Sequence, residues 1–67
     1  MSKTAQALEK LPQNIRDHIE NIKKTCQDKK LRHDHRIAGA SYVLALQHMG
    51  LVSEVERRLL LTYMTLE

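Results

Sequence analysis

The chain has no Phe and no Trp, and only two Tyr, one Cys, two Gly and one Pro in 67 residues. Each shortage excludes something. With Cys26 alone there is no intrachain disulfide and no second thiol for a metal site. A lone cysteine also fits a reducing cytosol better than a secreted scaffold. Two glycines leave no room for a glycine-rich loop that cradles phosphate. The longest apolar run, Tyr42 to Leu46, falls far short of the roughly 20 residues that span a bilayer. The start, Met1-Ser2-Lys3-Thr4-Ala5-Gln6, lacks the apolar core of a signal peptide. A cytoplasmic location without membrane contact is therefore expected. The final Leu66-Glu67 reads as the junction that cloning leaves before a purification tag.

No Ser/His/Asp order and no paired-carboxylate design appears, so the chain reads as a non-enzyme without a cofactor. Its four histidines do not suggest a metal site. His33 and His35 diverge if they lie on a helix, and Lys29, Lys30, Arg32 and Arg36 around them repel a cation. His18 and His48 have no evident partners. Cys26 falls on an apolar stripe and reads as a small buried hydrophobe rather than a nucleophile.

What remains is a pattern of helices in one small domain, 1–67. Residues 1–11 carry a short helical turn at most and are expected to fray. Leu11-Pro12 marks a boundary, with proline suited to the first helical position. From there Ile15, Ile19, Ile22 and Cys26 form one narrow stripe, which predicts a helix over about 12–30. Leu8 lies seven residues before Ile15, so the stripe resembles a coiled-coil seam. Asp34 is the expected N-cap of a second helix over about 35–49. That helix is apolar almost all round (Ile37, Ala38, Ala40, Tyr42, Val43, Leu44, Ala45, Leu46, Met49), and is expected to be central, packed both on its own chain and on a partner. Gly39 and Ala40 are small enough for another helix to approach closely.

Punctuation is densest between Met49 and Glu56. Gly50 suits a left-handed residue after a helix, and Leu51 the apolar position that follows it. Ser53 and Glu56 have the spacing of a capping box, which opens a third helix over about 54–64. The expected fold is all-α, three main helices with a tight helix-turn-helix-like hairpin. A chain this short buries only about 60% of its unfolded surface, so a homodimer is expected, with Ile15, Ile19, Ile22, Tyr42 and Leu44 at the interface.

Charge is uneven. Residues 23–36 hold Lys23, Lys24, Lys29, Lys30, Arg32 and Arg36 against Asp28 and Asp34, a local +4 in a chain of net +3. These six cations are the candidate partner-binding set, for an acidic protein face or for nucleic-acid phosphates. No aromatics are interleaved to stack on single strands. A helix-turn-helix reader would place the third helix in the DNA groove, but its first turn carries Glu54 and Glu56, which phosphates repel.

The run Arg36-Ile37-Ala38-Gly39-Ala40-Ser41-Tyr42-Val43-Leu44-Ala45-Leu46, followed by Gly50-Leu51-Val52-Ser53-Glu54-Val55-Glu56-Arg57-Arg58, resembles the small helical early-region accessory proteins of lambda-type bacteriophages. The resemblance implies an accessory factor of phage or plasmid origin that modulates a host process in the host cytoplasm. It carries over no functional residues. The leading expectation is a regulatory binding module acting through protein–protein contacts. A small DNA-binding transcriptional regulator using the basic 23–36 segment is the alternative, and a structural assembly protein the third reading.

Overall fold

Four helices build the chain: α1 (Lys3–Glu9), α2 (Gln13–Cys26), α3 (Arg32–His48) and α4 (Glu54–Thr65). The computed structural model describes residues 2–65 and contains no strand among them. The expected Leu66-Glu67 junction lies outside the described residues.

The N-terminal segment is the first correction. It is expected to fray but forms α1, capped by the Ser2 side chain, which accepts from the Ala5 N–H at 3.1 Å. Seven residues are too few to hold a helix by propensity. Tertiary burial holds this one, with Ala7 fully buried and Leu11 3% exposed where α1 packs on α4.

The boundaries of α2 and α3 also move. Pro12 precedes α2 at its N-cap position, with φ −57° and ψ 153°, rather than serving as its first helical residue. The helix ends at Cys26, not near 30. Its buried stripe is Ile19, Ile22 and Cys26, and the positions that would continue it are Lys29 and Lys30, so a further turn would bury no apolar side chain. The expected cap Asp34 lies inside the first turn of α3, which starts at Arg32 with no side-chain cap. A carboxylate in a first turn still complements the helix dipole.

The Gly50 hairpin matches its expectation atom by atom. Gly50 has φ 78°, the left-handed region where a Cβ is unwelcome. Leu51 N–H reaches Leu46 O and Gly50 N–H reaches Gln47 O, both at 3.0 Å, which is the paired closure of a Schellman motif. Ser53 N–H donates to Glu56 Oε1 at 2.8 Å, and Glu56 N–H donates to Ser53 Oγ at 3.1 Å. Leu51 stays 37% exposed, whereas Val52, at 6%, enters the core.

The central helix is α4, not α3. It packs against α1, α2 and α3, and its Leu60 and Met64 are fully buried. Gly39 is the point where α2, α3 and α4 meet. A Cβ there would lie 3.3 Å from Ile22 Cγ2 and 3.4 Å from Met64 Cε. The close approach that Gly39 permits is thus used within the chain. The Cα radius of gyration is 11.0 Å, which matches the roughly 11 Å of a compact chain of this length.

Candidate interaction surface

The expected dimer set divides once the helices are assembled. Ile19 and Ile22 are 0% and 7% exposed, covered by the chain's own core. Ile15 and Tyr42 are half-buried beside that core. Only Leu44 is open, at 43%. The α2 stripe is therefore no seam for a second copy, because α3 and α4 of the same chain cover it.

Helical geometry explains why Leu44 differs. Gly39, Val43 and Leu46 are the buried residues of α3, and Leu44 lies about 100° around the helix from Val43. Ile37, seven residues before Leu44, returns to nearly the same face and is 57% exposed. A helix taken as apolar all round places Ile37 among the buried positions. Separating the core face from the Ile37/Leu44 face at the helical period is the signal that finds it. Beside Ile37 a groove of about 360 Å³ runs between α3 and α4, with Ile37, Ala40 and Leu61 in its wall and His33 and Arg36 among its polar lining. Met49 (63%) and Val55 (59%) are the other widely exposed aliphatics.

The six basic residues gather at one end, where the last turn of α2, the 27–31 connection and the start of α3 meet, but they do not act alike. Lys23 sets its ammonium 3.8 Å from the centroid of the Tyr63 ring, a cation–π contact. The Tyr63 hydroxyl donates to Glu20 of α2, and that hydrogen bond, with burial second, pushes its pKa up to about 12. Arg32 Nε donates to the Cys26 carbonyl at 3.0 Å and so closes the C-terminus of α2. Arg36 is half-buried and is itself engaged in a contact. Lys24, Lys29 and Lys30 are exposed, and among the described residues no acidic side chain is paired with them. Asp28 instead accepts from the Lys30 backbone N–H at 2.9 Å, an Asx turn.

At the opposite end the charges are paired. The Glu56 carboxylate bridges to Lys10 and to the Ser53 backbone, and these contacts, Lys10 first, hold its pKa below the ordinary glutamate value. Glu54 pairs with Arg58 at 3.0 Å, one turn on. Arg57 Nε donates to Gln47 and ties α4 to α3.

The histidines occupy separate places. The His18 ring lies 4.3 Å from that of Tyr42, tilted by 48°, and burial raises the Tyr42 pKa. His33 and His35 belong to the start of α3 and His48 to its last turn. Among the described residues no three His, Cys, Asp or Glu side chains converge as a metal site would require. Cys26 is buried, 1% exposed. No helix among the described residues is long and apolar enough to cross a membrane. No family model, no curated protein and no solved structure matches the chain.

Proposed function

We propose that the protein is a small regulatory binding module, a homodimer, that acts by protein–protein contact and docks its basic end on an acidic face of another protein. The observation that carries this reading is the contrast in charge pairing. Lys24, Lys29 and Lys30 stand exposed at one end, while Glu54 and Glu56 at the other are bound to Arg58 and Lys10. A cluster of exposed like charges attracts an oppositely charged surface and speeds its encounter. The role is binding rather than catalysis. In the setting that the phage resemblance implies, the partner is a host protein of the bacterial cytoplasm.

Duplex DNA is the second reading, favoured by the same lysines. Against it, the first turn of α4 carries two carboxylates, Glu54 and Glu56, which phosphates repel. Asp28 and Asp34 also interrupt the basic segment. DNA binding would then be confined to phosphate contacts from one connection.

The test uses the wild-type protein and a Lys24→Gln/Lys29→Gln/Lys30→Gln variant as parallel baits in a bacterial lysate. A binding reading expects one protein retained by wild type and lost by the variant, with affinity falling as salt rises. Titration of a labelled DNA duplex separates the alternative, whose salt slope should drop by roughly 0.9 per phosphate contact removed. Equal retention of the same protein by both baits would reject the basic end as the docking surface.

A further inference from the structure

The exposed face of α3 has a spacing that suits a copy of itself. Ile37 and Leu44 lie seven residues apart on one side of the helix, 57% and 43% exposed, with the small residues Ala40 and Ser41 between them. We infer that two copies pair through this face, α3 against α3, antiparallel and crossing near Ala40 and Ser41, with Leu44 of each copy entering the groove beside Ile37 of the other. This rests on the homodimer reading above and supplies its interface.

A two-fold interface requires one patch to complement itself. In an antiparallel pair centred between residues 40 and 41, Ile37 faces Leu44 of the second copy and Leu44 faces its Ile37, so the apolar contacts close without remainder. The groove next to Ile37 has the chemistry to receive a leucine, with Ala40 and Leu61 in its wall and about 360 Å³ of space. Small residues at the crossing point let the two backbones approach to the usual 8–10 Å between axes.

Charge selects the direction. A parallel pair would set Arg32, His33 and Arg36 of one copy beside the same residues of the other, doubling the local +4 of the 23–36 segment. The antiparallel pair sets that basic start beside the second copy's α3 C-terminus, the negative end of the helix dipole, and keeps the two basic starts apart. The exposed Lys24, Lys29 and Lys30 of the two copies then lie at opposite ends of the pair.

Area sets the strength. The 17 residues of α3 span about 25 Å, and a helix with its side chains is about 10 Å wide. That footprint is about 250 Å² per copy, about 500 Å² in all, below the roughly 1,000 Å² of a stable specific interface and in the range of weak, transient pairing. The dimer is accordingly weak, and its equilibrium is to be sought from micromolar to millimolar protein.

Sedimentation equilibrium of the full chain across that range tests the pairing. The expected result is a monomer–dimer equilibrium for wild type, weakened at least about tenfold by Leu44→Asp and by Ile37→Asp. Val55→Asp should leave it unchanged, since Val55 lies six residues from Leu61 and faces another side of α4. Circular dichroism keeps dissociation distinct from unfolding. For contact at the crossing point, Ser41→Cys should oxidise to a covalent dimer, while wild type, whose Cys26 is buried, should not. Asp34→Cys should crosslink only if the copies run parallel. A wild-type protein that stays monomeric into the millimolar range would overturn the homodimer reading itself. A wild-type dimer that both aspartate variants preserve would overturn this interface alone. Ready crosslinking through Asp34→Cys would overturn its direction.

Discussion

Two connections reverse this chain, 27–31 between α2 and α3 and 49–53 between α3 and α4. They have equal length and opposite construction. The second is closed by its own residues: Gly50 in the left-handed region, paired bonds back to Leu46 and Gln47, and a reciprocal Ser53–Glu56 cap. The first has no glycine, and α3 starts without a side-chain cap. It is held by an Asx turn at Asp28 and by Arg32 reaching back to the Cys26 carbonyl. Their last aliphatics differ too: Val52 is buried at 6%, Leu31 exposed at 42%. One connection is closed by its own backbone and cap hydrogen bonds and anchored in the core by Val52. The other leaves its side chains, Lys29 and Lys30 among them, to the solvent and to whatever binds there.

The comparison breaks most directly at Gly50. Gly50→Val forces a β-branched residue to φ 78°. The space around the position is open, with no atom within 4 Å of the point a Cβ would occupy, so the cost is one of backbone conformation alone. It should be about 2 kcal/mol, lowering Tm by roughly 10 °C in a domain of this size. Lys29→Val, the counterpart in the other connection, should change stability by no more than about 0.5 kcal/mol. Thermal denaturation of the two variants decides. Equal losses would mean that the two connections are not different in kind.

Ser53→Ala and Arg32→Ala sharpen the contrast at the next level. Loss of the Ser53 cap should cost about 1 kcal/mol. Loss of the Arg32 hydrogen bond should also cost about 1 kcal/mol, since the Cys26 carbonyl at the end of α2 then has to find water. Chemical denaturation reads both. An Arg32→Ala protein as stable as wild type would show that packing alone closes the 27–31 connection, and would return Arg32 to the set available for binding.

These two connections also separate what a sequence discloses from what it hides. The 49–53 hairpin is legible because its work is done by residue types at short, fixed offsets: Gly50 after a helix, Ser53 three before Glu56. The 27–31 connection is not, because its bonds depend on a long side chain spanning six residues, from Arg32 to Cys26, which leaves no composition signal. Asp34 looks like a cap by the same local logic that succeeds at Ser53. α1 is hidden for another reason: a seven-residue helix shows no periodicity, and Ala7 and Leu11 owe their burial to α4. At the candidate surface, the basic cluster is plain in the charge count. Its division into engaged residues (Lys23 over Tyr63, Arg32 on Cys26) and open ones (Lys24, Lys29, Lys30) needs the helices in place. Leu44 stands in the expected dimer face without its neighbour Ile37, because a helix taken as apolar all round is not divided into its two sides at the helical period.

Acid should weaken the 49–53 end before the 27–31 end. In the folded chain Glu56 has its pKa held below the ordinary 4.5, first by Lys10 and then by the Ser53 backbone. A carboxyl with a depressed folded pKa contributes stability that is fully present above its unfolded value and is lost as pH falls through the folded one. Tm should therefore decline as pH drops below about 4.5, and Glu56→Gln should flatten that part of the decline. The effect is modest, since Lys10 is 56% exposed and exposed ion pairs contribute roughly 0–1 kcal/mol. A Glu56→Gln protein with an unaltered acid profile would assign the decline to other carboxyls.

The smallest effect on stability is expected where the largest effect on binding is proposed. Lys24, Lys29 and Lys30 are exposed and make no pairing with an acidic side chain among the described residues. Replacing each with Gln should change stability by no more than about 0.5 kcal/mol. Removing three like charges crowded at one end even relieves some repulsion. Lys23→Gln should behave differently, because it gives up the contact with the Tyr63 ring, for which about 0.5–1 kcal/mol is the expected loss. The two experiments together divide the basic end into a part that holds α2 to α4 and a part that is free for a partner. If the triple variant melted well below wild type, the lysines would belong to the fold, and the contrast between a closed connection and an open one would fail at its most exposed point.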